Sequence, residues 1–182
     1  MFRRFLFFLL VSIACSDVNA QKGANTISIN GEATIPYFQN DRGFGFFLKG
    51  LYGIGASGQL SFSAGVSEFN SKNKIEAGKV TTRLVPFLFG YKQNIGKFFM
   101  EPKIGIGELG GRILKNADYS RPSVAAMFGG LAAGYTLRRL HFGINFLTAH
   151  GIENTSAGAW YNKNFHYTSI FAGYDLFANS KD

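Results

Sequence analysis

Cysteine is almost missing from this chain: the single one, Cys15, lies within the first twenty residues. If that segment is removed, disulfides and thiolate-held metals are both excluded from what is left. Beyond residue 20 there is no run of 18 apolar residues, so no helix can cross a membrane. Charged residues are few, and lysine and arginine are scattered through turns and loops rather than gathered in a stripe. That argues against a nucleic-acid footprint, for which basic residues cluster on one face. What the chain does have is glycine, 23 residues, and phenylalanine, 20 residues. Such a composition disfavours helices and suits packed strands.

Residues 1–20 read as a signal peptide. Arg3 and Arg4 form a positive n-region, Phe5 to Ala14 an apolar h-region, and Val18-Asn19-Ala20 a peptidase site. Acylation at Cys15 after Ser12-Ile13-Ala14 is the competing reading, with Ser12 standing where a leucine is usual. Cleavage after Ala20 leaves one domain, 21–182, of about 160 residues. It takes Arg3, Arg4 and Asp17 with it, so the formal charge falls from +8 to +7. Export without cysteine suits a Gram-negative envelope.

Period-two alternation runs through the remainder. From Ile27 to Tyr37 the odd positions Ile27, Ile29, Ala33 and Ile35 alternate with Ser28, Asn30, Glu32 and Thr34. Between Phe44 and Ala56, the residues Phe44, Phe46, Leu48, Tyr52 and Ile54 oppose Phe47, Lys49, Leu51 and Gly53. The third strand sets Leu60, Phe62, Ala64 and Val66 against Ser61, Ser63, Gly65 and Ser67. In the fourth, Val80, Leu84, Pro86 and Leu88 are expected to face outward, with Arg83, Val85, Phe87, Phe89 and Tyr91 inward. A hinge at 93–97 leads to the fifth, where Phe98, Met100, Pro102, Ile104 and Ile106 oppose Phe99, Glu101, Lys103, Gly105 and Gly107. Pro86 and Pro102 each remove a ladder donor, so bulges or kinks are expected there. The sixth strand (123–137) presents Met127, Leu131 and Tyr135 outward. The seventh sets Leu140, Phe142, Ile144 and Phe146 against His141, Gly143 and Asn145. The eighth (165–177) sets Ile170, Ala172, Tyr174 and Leu176 against Ser169, Phe171, Gly173 and Asp175. Short turns at 57–58, 93–96 and 138–139 alternate with connections at 39–43, 70–79, 108–122 and 149–164. The pattern predicts an eight-stranded antiparallel up-and-down barrel.

The polar faces decide which side is inside. They carry Glu32, Lys49, Arg83, Glu101, Lys103 and Asp175, three acids and three bases. Charges enclosed in a narrow lumen must pair, because an unpaired one costs several kcal/mol. The opposite faces are almost free of charge, and turned to water they would make an apolar surface far beyond a soluble monomer's. Turned to lipid, both patterns follow, and closure satisfies every backbone group. The expectation is a transmembrane β-barrel with these six residues as an interior charge network. A soluble lipocalin-like barrel holding an apolar ligand, with the faces inverted, is the alternative fold reading.

The stretch Pro86-Phe-Leu-Phe-Gly-Tyr-Lys92, then Asn94-Ile-Gly-Lys-Phe-Phe-Met-Glu-Pro-Lys-Ile-Gly-Ile-Gly107, and the ending Phe171-Ala-Gly-Tyr-Asp-Leu-Phe177 resemble the OmpA/OmpX-like small outer-membrane barrels, most of all the version common in Bacteroidota. The resemblance implies residence in the outer membrane, a monomer, and a last strand read by the outer-membrane assembly machinery. Tyr174 and Phe177 match the aromatics of that strand by type, although Ala178 to Asp182 follow them.

No constellation for catalysis, cofactor or metal stands out. His150, Glu153 and Ser156 share the last connection, and only its folding could assemble them as nucleophile, base and orienter on lipid A. His166 suits interfacial anchoring. Gly53/Gly55 and Gly105/Gly107 precede no helix, so they relieve crowding rather than cradle phosphate. Lys72, Lys74, Lys79, Arg112, Lys115 and Arg121 make two connections basic. The expected function is a non-enzymatic structural or surface-interaction barrel whose loops meet lipopolysaccharide phosphates, with no nucleic-acid partner. The second reading is a lipid A-modifying enzyme.

Overall fold

The structure, a computed structural model, describes residues 25–36, 42–55, 57–72, 79–114, 120–154 and 160–179. The leader (1–20) and Cys15 lie outside them. Eight strands follow one another: β1 (Asn25–Pro36), β2 (Arg42–Gly53), β3 (Gly58–Lys72), β4 (Lys79–Ile95), β5 (Phe98–Leu114), β6 (Ser120–Leu137), β7 (Leu140–Asn154) and β8 (Trp160–Asn179). Each pairs antiparallel with the next, and β8 returns to β1 to close the barrel.

The stagger of the barrel can be read from the ladder. Partners run Thr26, Leu51, Ser61, Gly90, Lys103, Gly130, Leu147 and Tyr167, and re-enter β1 at Pro36, ten residues beyond the start. Eight strands with that stagger tilt by about 40° and enclose a backbone cylinder of roughly 8 Å radius. Side chains fill a bore of that width.

Two of the short turns pass through left-handed backbone, one at a glycine that adopts it freely and one at an arginine held there by the turn. Gly96 (φ 63°) turns β4 into β5, and Arg138 (φ 56°) turns β6 into β7. The strands overrun the expected boundaries at the other end. Most of 108–114 and 149–154, expected as loop, is paired strand. Beyond the lipid belt neither face needs to be apolar, so alternation fades while the ladder continues.

The two prolines act differently from the expectation. Pairing lapses between Ala64↔Phe87 and Ser67↔Leu84 beside Pro86, and between Gly90↔Lys103 and Gln93↔Met100 beside Pro102, yet the register is the same on both sides of each gap. The register shifts instead at Ile27/Ser28 in the closing seam and at Leu109/Gly111.

The apolar faces point outward. Ile104 is 69 % exposed while Glu101, on the opposite face of the same strand, is fully buried. Phe44, Phe46, Leu48, Phe62, Met127, Ile144 and Ile170 extend the belt around the cylinder. Only hydrocarbon accommodates that belt at acceptable cost, so the chain is a transmembrane β-barrel.

On β4 the expected faces are reversed. Leu84, Pro86 and Leu88 are buried in the lumen, whereas Phe87 and Phe89 are half-exposed in the belt and Arg83 is on the outer side. The parity of Arg83 with the aromatics is as read, but that whole face is the lipid face. Two mid-strand phenylalanines gain more from hydrocarbon than one arginine loses, because Arg83 stands near the strand end, directly across from Glu68, where its head can reach the interface. Placing Phe89→Arg at mid-belt should therefore cost about 2–4 kcal/mol in unfolding from lipid vesicles. Arg83→Ala should change stability by less than about 0.5 kcal/mol. The reverse ranking would mean that β4 faces the other way.

Candidate functional site

The lumen is layered. The half nearer the longer connections is an apolar core of Phe69, Leu84, Leu88, Leu109, Val124, Phe128, Leu147 and Tyr167, drawn from β3 to β8. Phe69 meets Phe165 edge-on with centroids 4.7 Å apart and Tyr167 at 5.1 Å. Leu84, Leu147 and Tyr167 are fully buried, so this layer seals the bore.

Below it the lining turns polar. Lys49 on β2 reaches across to the Glu101 carboxylate on β5 and donates to its Oε2. Glu32 on β1 accepts from Ser169 Oγ at 2.9 Å and from Asn145 Nδ2 at 3.4 Å. Lys103 is within electrostatic reach of both Glu101 and Glu32. These groups surround a cavity of about 20 Å³ lined by Asn30, Glu32, Lys49, Glu101, Lys103 and Asn145, among others. That is room for a single water-sized guest. Lower still, His141 Nε2 and Asn30 Oδ1 share a hydrogen bond of 2.6 Å. His141 Nδ1 stands 3.6 Å from Asp175 Oδ1, an electrostatic contact longer than a hydrogen bond. Gly173 makes this arrangement possible: a Cβ there would lie 1.9 Å from Asn30 Oδ1 and 2.1 Å from His141 Nε2.

Of the six residues expected to share the interior, Glu32, Lys49 and Glu101 are buried in the lumen, while Lys103 and Asp175 line it half-buried. Arg83 is outside, as a correction to the sequence reading. The cation that faces inward from β4 is Lys92, 6 % exposed. Its signal was available: with Phe87 and Phe89 on the lipid side, even positions must face in. The bore still carries three acids and three bases among the described residues, with Lys92 where Arg83 was expected.

At the end carrying the short turns the bore widens into a cup of about 460 Å³. Its lining includes Thr26, Gln59, Lys92, Asn94, Lys97, Thr136, Arg138 and Asp175. Lys92 Nζ lies 4.4 Å from the Phe99 ring centroid, a cation–π contact. The turns that frame the cup are tied to one another: Asn94 N donates to Ser57 O at 2.7 Å, Thr136 N to Lys97 O at 2.8 Å and Asp175 N to Arg139 O at 2.9 Å.

Among the loop residues, His150 Nδ1 is paired with Asn164 Oδ1 on the exposed side. The side chains of Glu153 and Ser156 lie outside the described residues, as do those of all six basic connection residues.

The buried pair gives a direct test. Lys49→Met or Glu101→Gln alone should destabilise the barrel by about 3–5 kcal/mol, since either strands a partner in the bore. The double variant should recover at least half of that loss in a denaturant cycle. Additive losses would show that the two side chains do not depend on one another.

No family model matches the chain, and no curated protein matches it by sequence. Solved structures do match. Neisserial surface protein A aligns with a TM-score of 0.58 at 8 % identity, covering 84 % of this chain and 96 % of that one. Ail, the attachment invasion locus protein of Yersinia pestis, in complex with the heparin analogue sucrose octasulfate, aligns with a TM-score of 0.57 at 12 % identity, covering 85 % and 99 %. The outer-membrane enzyme PagL aligns at 0.51 and 13 % identity, covering 82 % and 99 %. At these identities the likeness is one of fold. The chain has the fold of the small eight-stranded outer-membrane barrels.

Proposed function

We propose that the chain is a monomeric, non-enzymatic protein of the outer membrane, exported by the leader 1–20, whose role is structural or one of surface interaction. The observation that carries this reading is the sealed bore beneath a complete lipid belt. A barrel whose lumen is closed by Phe69, Leu84, Leu147 and Tyr167 has its ends, not its bore, available for partners. The ends with short turns and termini face the periplasm, and the longer connections face outward, as in barrels of this kind.

The outer connections carry Lys72, Lys74, Lys79, Arg112, Lys115 and Arg121. Cations in these connections, at a phosphate-rich leaflet, favour polyanions, with about 1 kcal/mol for each residue close to the surface. Ail is known in complex with a sulfated sugar, which supports a polyanion surface on a barrel of this fold. Lipopolysaccharide phosphates are the nearest such partner. The last strand is offered to the outer-membrane assembly machinery, with Tyr174 and Phe177 outward on its final turn-side segment.

An enzymatic reading on lipid A has one observation in its favour, the exposed His150–Asn164 pair on a fold that PagL shares. Lipid A from a His150→Ala strain separates the two readings: an unchanged mass spectrum supports the non-enzymatic one, and accumulation of an unprocessed species overturns it. For the leading reading, replacing all six basic residues with glutamine should leave heat-modifiable gel migration intact while weakening lipopolysaccharide binding at least roughly tenfold. Undiminished binding would dispose of the loop proposal.

A further inference from the structure

The cup at the short-turn end has a chemistry that lipid anchoring does not use. Its deepest cation, Lys92, is 6 % exposed, and among the described residues no carboxylate lies within ion-pair distance of its Nζ. Glu101 and Asp175 attract it only at longer range, Lys49 repels it, and its close partner is the Phe99 ring. Two more cations of the lining, Lys97 and Arg138, stand on the turns at the rim. Asp175 is the one acid in the lining, so the cup carries a net charge of two positive.

Neutral donors converge on the same space. Thr136 Oγ1 is buried at the cup wall with no hydrogen-bond partner. Gln59, itself buried, accepts from Asn94 Nδ2 at 3.4 Å, which holds both amides at the wall. Leu51 is an apolar member of the lining beside Lys92, and the apolar layer farther along the bore prevents passage through the barrel. A volume of about 460 Å³ falls within the range of about 300–1,000 Å³ usual for small-molecule sites.

The geometry points to a binding site in this cup for a dianionic phosphoryl group, delivered from the periplasm either as free phosphate or on a small phosphomonoester. Three cations against one carboxylate leave two charges to be neutralised, which a phosphoryl dianion matches and a lone carboxylate does not. The unpaired Thr136 hydroxyl and the Gln59 and Asn94 amides supply donors to its oxygens. Lys92, desolvated above an aromatic face, exchanges no strong ion pair for the guest and so loses little on binding it. Only the end-for-end orientation rests on the proposed outer-membrane placement; the site itself rests on the cup.

The test is an amide NMR titration of the full chain in maltoside micelles, which carry no phosphate, with inorganic phosphate, glycerol 3-phosphate and acetate at constant ionic strength. Both phosphate probes should give saturable shifts at Gln59, Asn94 and Thr136, at concentrations at least tenfold below those acetate requires. A tighter curve for glycerol 3-phosphate assigns the site to a monoester, and equal curves assign it to free phosphate. Lys92→Met should weaken the binding tenfold or more. Because Lys92 is buried, the exposed pair Lys97→Gln/Arg138→Gln serves as a second variant with the same expected loss and no demand on the core. Shifts confined to the rim turns, shifts equal for acetate, or phosphate curves unaltered in a folded variant would overturn the proposal. Lipopolysaccharide binding by the Lys97→Gln/Arg138→Gln protein should stay at the wild-type level, which keeps this site distinct from the outer loops.

Discussion

A backbone amide left unpaired in hydrocarbon costs several kcal/mol, and that one penalty shapes this molecule. It requires β8 to find β1, and the closure fixes the stagger of ten that sets the width of the bore. The seam takes up a mismatch through the bulge at Ile27/Ser28, so that Leu176 and Phe177, adjacent in sequence, both remain on the outside. Once the cylinder is that narrow, its interior is a packing problem with few solutions. Every inward charge must find a counter-charge or an aromatic face, and every inward glycine marks a place where something else needs the room. Gly173 leaves that room for the His141–Asn30 bond.

The architecture was legible because alternation in β1, β2, β5 and β7 is anchored by an unambiguous residue. Glu101 with Lys103, Lys49, Glu32 and Asn145 each fix the inner face of their strand, since burying one of them in lipid would be far costlier than burying it beside a partner. β4 has no such anchor at mid-strand. Arg83 sits where a long side chain can escape to the interface, and the informative cation, Lys92, is at the far end. Both faces between them are apolar, because β4 lines the part of the bore that is itself an apolar core. Charge balance was a sound constraint, but it could be met by Lys92 as well as by Arg83, so it could not choose between the two faces. The cup was out of reach for the same reason: it is assembled from turn residues of three hairpins, and their convergence is a property of the register, not of any one stretch.

The layering of the bore also bears on what the barrel can do. A file of water or ions would have to cross Phe69, Leu84, Leu147 and Tyr167, none of which is more than 2 % exposed. The ionic layer below is then better understood as filling than as a path: Lys49 with Glu101, and Glu32 with Ser169 and Asn145, occupy a volume that apolar side chains occupy above. An ionic filling is no more stable than a packed apolar one, but its partners are unique, and it ties β1, β2, β5, β7 and β8 in one register.

Coupling between the two ends of such a molecule would need an element with two alternative arrangements that both ends could bias. A closed ladder around a close-packed core offers none: the strands cannot slide without exchanging their faces, and the apolar layer has no room to repack. Binding at the outer connections and binding in the cup should therefore be energetically independent. A closed ladder of this kind holds its two ends at a fixed separation.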